Sequence, residues 1–118
     1  IGWYGTNPEI ELITNNLEFN QLKINFLNDQ RHWIFLPKKI SIYGFKKGKW
    51  NLINEKNIVN LTEDYVVKTS QIETQDNKFS TFEKIKVVVK NQDNLPAWRK
   101  RKNKKPMVMI DEIELYKK

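Results

Sequence analysis

The chain contains no cysteine and a single histidine, His32, in 118 residues. Without cysteine there is no disulfide framework and no thiolate chemistry, which fits either the cytosol or a disulfide-free exported bacterial domain. One histidine with no cysteine also leaves a transition-metal site without its usual clustered ligands. A nucleophile and base pair would have only His32 as its base, and no nucleophile-elbow motif accompanies it. Carboxylates for glycosidase chemistry are present at Glu9, Glu11, Asp111, Glu112 and Glu114, but they fall on strand-like alternating segments, where such residues make a solvated sheet face. The chain therefore reads as non-catalytic. No apolar run reaches the ~18 residues of a membrane span, and no charged-then-apolar leader opens the chain. It begins at Ile1 and not at Met, which implies a segment excised from a longer protein. A helical stripe, an internal repeat and a dividing linker are all missing, so residues 1–118 read as one domain, and a parallel α/β fold is excluded.

What the chain does have is period-2 patterning, with 39% hydrophobic and 12% aromatic residues to fill one modest core. Leu22, Ile24 and Phe26 alternate with Lys23 and Asn25; Ile40 and Ile42 flank Ser41; Ile85, Val87 and Val89 alternate with Lys84, Lys86 and Val88. Turn signals separate these stretches at Thr14-Asn15-Asn16, Asn28-Asp29-Gln30, Gly44 to Gly48, Gln75 to Lys78 and Asn91 to Asn94. The pattern predicts strands near Glu9–Ile13, Glu18–Leu27, Lys38–Phe45, Lys49–Ile53, Tyr65–Glu73, Phe82–Lys90 and Met107–Tyr116. Short strands with regular turns mean an all-β sandwich or barrel. Trp50, Ile40, Ile42, Ile85, Val87 and Ile110 are the expected inward-facing positions. In the last strand the alternation breaks at Asp111-Glu112, which predicts a bulge of the kind that re-aims a side chain or curves a sheet edge.

Charge is concentrated. The formal net charge is +7, from 21 Lys and Arg against 14 Asp and Glu. Six of the basic residues lie between Arg99 and Lys105, and without them the balance is 15 against 14. A single local patch follows, either a ligand-facing loop for anions or a solvated loop that only aids solubility. Just before it stands Leu95-Pro96-Ala97-Trp98, an aromatic placed after a proline-bearing turn.

Three fragments resemble one family: Trp3-Tyr4-Gly5; Phe26-Leu27-Asn28 leading to Trp33-Ile34-Phe35-Leu36-Pro37-Lys38; and Leu95-Pro96-Ala97-Trp98 with Ile110-Asp111-Glu112-Ile113. They resemble the discoidin-like domains related to the C-terminal domains of coagulation factors V and VIII, also called galactose-binding-like domains. More narrowly, they are similar to the version appended behind the catalytic domain of bacterial β-N-acetylhexosaminidases. The resemblance implies an eight-stranded antiparallel jelly-roll sandwich, truncated here at its N-terminal side, with no catalytic residues of its own. It also implies a carbohydrate-binding accessory role beside a glycoside hydrolase, and a periplasmic, cell-surface or secreted location. The resemblance further implies that Trp3 and Tyr4 face the ligand in the family manner. In such domains the acidic residue of the last strand belongs to a structural calcium site, which maps onto Glu112 with Asp111 beside it; two residues of one strand make that site incomplete, since calcium takes six to eight oxygens. Where the hexosaminidase-type domains carry a histidine and a glycine-rich stretch after the matched tryptophan, this chain has Arg99 and a lysine-rich run.

Sugar recognition by a sandwich needs a flat aromatic for the apolar face of a pyranose and planar polar groups for its hydroxyls. Arg31, His32 and Trp33, with Trp98 and Arg99, offer those types on predicted loops. Trp33 reads equally as a core residue of the apolar run Trp33-Ile34-Phe35-Leu36, and His32 as a plain loop residue. The expected partners are a glycan, anionic if the basic run selects it, and the protein's own catalytic domain. Two other readings stay open. One is a structural module that packs on that catalytic domain. The other is a basic β-barrel binding single-stranded nucleic acid, with Trp33, Tyr43 and Trp98 stacking bases and residues 99–105 tracking phosphates. The sequon Asn60-Leu61-Thr62 reads as incidental in a bacterial-looking chain.

Overall fold

Alternation of apolar and polar residues is realised as eight strands in a computed structural model, which describes residues 2–15, 17–58 and 61–117. The turn residue Asn16 and the sequon residue Asn60 lie outside the described residues. The strands are β1 (Gly2–Tyr4), β2 (Glu9–Ile13), β3 (Gln21–Asn28), β4 (Lys39–Lys46), β5 (Lys49–Asn57), β6 (Lys68–Gln75), β7 (Lys84–Lys90) and β8 (Met107–Tyr116). They form two antiparallel four-stranded sheets, ordered β1-β8-β3-β6 and β2-β7-β4-β5. Between them lies the core, so the chain is a β-sandwich. Only three short 3₁₀ turns, at Gln30–His32, Asn77–Thr81 and Ala97–Arg99, interrupt the strands and loops among the described residues. None of them is a helix long and apolar enough to cross a membrane.

The core is what the period-2 pattern demands. Leu22, Ile24 and Phe26 of β3 and Val108 and Ile110 of β8 meet Ile40 and Ile42 of β4 and Ile85, Val87 and Val89 of β7. Each such buried side chain contributes about 1.5–3 kcal/mol of transfer free energy. At one edge Phe19 and Phe79 stack with ring centroids 5.4 Å apart. Gly44 is required by close approach, because a Cβ there would lie 2.3 Å from the Phe82 ring. The two-residue hairpin between β4 and β5 puts Lys47 and Gly48 at φ 51° and 75°, the paired positive values that match the twist of its strands.

The bulge expected at Asp111-Glu112 is present: Asn25 pairs with Glu112 and Phe26 with Ile110, leaving Asp111 as the extra residue. A second bulge was not legible. Ile42 pairs with Asn54 and Tyr43 with Leu52, so Ile53 is inserted between them.

Trp50 corrects an expectation. It does not pack inward; it stands opposite Phe45 on the outer face of its sheet, half-buried, with the Lys86 ammonium 4.3 Å from its ring centroid. In Trp50-Asn51-Leu52-Ile53 both strand faces carry an apolar residue, so alternation alone does not decide which turns in. Ile53 took the inner side and packs against the core. The indole is sheltered instead by a lysine and a neighbouring aromatic, Phe45, at 5.1 Å.

Candidate ligand-binding loops

Antiparallel pairing sends the connections β1–β2, β3–β4, β5–β6 and β7–β8 to one end of the sandwich, and side chains tie them together. The centre of that end is a residue the sequence did not single out. Gln30 is only 2% exposed. Its amide nitrogen donates to Thr62 O at 2.8 Å, while its Oε1 accepts from Trp98 Nε1 at 2.7 Å and from the Asp64 amide at 3.3 Å. One buried amide therefore joins three loops and is itself satisfied on both ends. A glutamine in a turn segment carries no periodic or motif signal that could have marked this role.

All five predicted ligand-facing residues reach this end, in three different environments. Arg31 and His32 are exposed, and His32 Nδ1 lies 2.7 Å from Asp29 Oδ2, which fixes the ring's orientation. Trp33 is half-buried in the left-handed region at φ 59°, an uncommon conformation for a bulky residue that the surrounding contacts must hold. Its indole N–H donates to Arg99 O at 3.1 Å. Over its ring stand Arg99 at 4.1 Å, Lys104 at 4.9 Å and Arg101 at 5.4 Å from the centroid. Arg99 is engaged within the fold, donating from Nε to Gln30 O and from a terminal nitrogen to Arg31 O.

Trp98 differs. It too is half-buried and pinned through its N–H, but no cation lies over its ring among the described residues. It lines a pocket of about 400 Å³ together with Asn57, Gln92, Asn94, Lys38 and Pro96. Aromatic surface, planar amides and one cation converge there. The cation is held in place, since Lys38 Nζ is 2.7 Å from Asp93 Oδ2. That contact, aided by Lys90, keeps the Asp93 carboxyl below its ordinary value.

A larger cleft of about 620 Å³ adjoins it, and Gln92 and Asn94 line both. The basic run forms most of its wall through Lys100, Arg101, Lys102, Lys104 and Lys105. Trp3 and Tyr4, expected to face a ligand, instead support this end. Trp3 packs against the core, and the Tyr4 hydroxyl accepts from the Lys105 amide at 2.8 Å and donates to Asn103 O at 3.2 Å.

The residues mapped to calcium do not make a fit. Asp111 and Glu112 are both exposed, and Glu112 is hydrogen-bonded to Glu114, a second carboxylate that raises its pKa above the ordinary value. Glu114 in turn accepts from the Tyr116 hydroxyl and from Asn25. Among the described residues no group of three or more His, Cys, Asp or Glu is placed to hold a metal ion. Two carboxylates fall short of the six to eight oxygens calcium takes.

Of the tryptophans and tyrosine expected to stack bases, Trp33 and Trp98 share the loop end, whereas Tyr43 stands on the outer face of a sheet beside Lys86. They do not line one track. No protein-family model matches the chain, and no curated protein matches it.

Proposed function

We propose that this chain is a non-catalytic, glycan-binding accessory domain, a discoidin-like jelly roll serving a bacterial glycoside hydrolase of the β-N-acetylhexosaminidase kind. The observation that carries glycan binding is the Trp98 pocket, where an indole pinned through its N–H adjoins the amides of Asn57, Gln92 and Asn94. That is the chemistry a pyranose needs: apolar surface for its C–H face and planar polar groups for its hydroxyls. The jelly-roll reading is supported by the strand orders β1-β8-β3-β6 and β2-β7-β4-β5, in which each sheet draws strands from both halves of the chain as two interleaved Greek keys do. The hydrolase rests on the resemblance of the tryptophan-bearing and Asp-Glu segments. Tethering such a domain to an enzyme would raise the effective substrate concentration at the active site without tight binding of its own.

Calorimetric titration with N-acetylglucosamine, N-acetylgalactosamine and galactose tests this. Saturable binding with a dissociation constant in the millimolar to high-micromolar range is expected, because one stacked aromatic contributes on the order of 1 kcal/mol beyond area burial. The Trp98→Ala variant should weaken binding about fivefold or more. No saturable heat with any of the three sugars would reject the reading.

A second reading has its own observation. The outer face of the β2-β7-β4-β5 sheet presents Tyr43, Phe45 and Trp50 with Leu52, which is 52% exposed. Packing of that face on the catalytic domain would bury the aromatics and leave the loop end for ligand.

A further inference from the structure

We infer that the basic cleft beside the Trp98 pocket is a binding subsite for the anionic groups of a charged glycan, sulfate esters or uronate carboxylates; this rests on the glycan-binding reading of the neighbouring pocket. The first argument is electrostatic. Lys100, Arg101, Lys102, Lys104 and Lys105 share one cleft wall, and none forms an ion pair with a described residue. Among the described residues lining the cleft the one carboxylate, Asp93, is committed to Lys38 at 2.7 Å. Five like charges around one concavity repel each other, and the positive potential they focus is left uncancelled for a ligand.

Order within the loop is the second argument. A run that served only solubility would need no anchoring, yet this one is tied at several points. The Tyr4 hydroxyl bridges the Lys105 amide and Asn103 O, the Gly5 amide donates to Pro106 O at 2.9 Å, and the Lys104 amide closes a turn onto Arg101 O at 3.2 Å. Arg101 and Lys104 rest over the Trp33 ring. An aromatic face positions cations without neutralising them, which a carboxylate in the same place would not do. The loop is thus held while its charge stays available.

Contiguity is the third. Because Gln92 and Asn94 line both cavities, a chain with its sugar ring against Trp98 can extend its charged substituents toward the lysines. The shared chemistry is an anionic oxygen group on a polysaccharide, and a sulfate or a carboxylate supplies it equally.

The experiment compares four probes by calorimetry on the intact chain at low salt: a neutral chito-oligosaccharide, a heparin-derived oligosaccharide, an oligogalacturonate and a single-stranded oligonucleotide of matched charge. Each is repeated with the triple variant Lys100→Ser, Lys102→Ser, Lys105→Ser, which spares all three cations seated on Trp33. At least one anionic oligosaccharide should bind about tenfold or more tighter than the neutral one. Its affinity should fall about tenfold between 50 and 200 mM salt, as release of about two counterions requires. The triple variant should bring it down to the neutral value while leaving neutral binding and the melting temperature unchanged. Equal affinity for neutral and anionic glycans would overturn the inference and leave the Trp98 reading standing. An oligonucleotide bound as tightly as the best glycan would also overturn it, in favour of a patch that reads charge alone. Anion binding that vanishes in the triple variant, with no neutral sugar bound at all, would support the cleft and remove the Trp98 reading. Of the two anionic probes, the tighter identifies sulfate or carboxylate as the natural group.

Discussion

Trp33 and Trp98 sit at the same end of the sandwich, both half-buried and both anchored through the indole N–H, yet their rings meet opposite surroundings. Trp33 lies under Arg99, Arg101 and Lys104, whereas Trp98 lines an open pocket. The difference comes from the long β7–β8 connection. Its 3₁₀ turn at Ala97–Arg99 sends Trp98 to Gln30, and the residues that follow place their cations over Trp33. A tryptophan in a loop is therefore a ligand platform only where the chain has not already used its ring. Trp33 organises the loop; the Trp98 ring borders the pocket with no cation over it among the described residues.

That contrast is open to attack in order of effect. Trp33→Ala should be the most damaging of the single changes, costing about 2 kcal/mol of stability, because it removes a half-buried indole together with the seat of three cations. Hydrogen exchange should speed up across residues 99–105 in that variant, and a chemical denaturation midpoint equal to the parent's would contradict the role given to Trp33. Trp98→Ala should be milder for the fold, about 1 kcal/mol or less, since Gln30 Oε1 keeps the Asp64 amide as a donor. Its main effect should be the loss of sugar affinity described above. A greater stability loss in Trp98→Ala than in Trp33→Ala would reverse the assignment.

The smallest effect concerns the mouth of the Trp98 pocket. The Lys38 contact holds the Asp93 carboxyl below its ordinary value of 3.8. A carboxylate whose folded pKa is depressed stabilises the fold above its unfolded pKa and loses that contribution as pH falls through the lower folded value. Sugar affinity and stability should therefore both hold at pH 5 and decline a little below 3.8 as Asp93 protonates and frees Lys38. Both partners are exposed, so the change is modest. Lys38→Met should flatten this part of the profile, and an unchanged profile would show that the pair does not shape the pocket.

The same residues show what the sequence made legible and what it did not. Strands β3, β7 and β8 were readable because Leu22-Ile24-Phe26, Ile85-Val87-Val89 and Val108-Ile110 recur at every second position and bury one face, while the residues between them stay only partly buried. The extra residue at Asp111 was readable because it breaks that alternation. Strand β1 escaped notice, being three residues long and paired only with β8. Strand β5 runs on to Asn57, past the expected end at Ile53, through Asn54-Glu55-Lys56, where backbone pairing with β4 and not an apolar pattern defines an edge strand. At the loop end the residue types were legible and their partners were not. Arg31, His32, Trp33, Trp98 and Arg99 do gather there, but nothing in their order told which ring would be covered. The amide that decides it, Gln30, looks in sequence like any polar loop residue. Long-range contacts such as Gln30 to Trp98 arise from topology, and a linear pattern carries no trace of them.

The most direct test follows the indole N–H resonances of the four tryptophans in a ¹⁵N-labelled chain during titration with the tightest-binding oligosaccharide. The account predicts that Trp98 shifts progressively and saturably, while Trp33, closed beneath its own cations, moves far less. Saturable movement of Trp33 with Trp98 unmoved would contradict it.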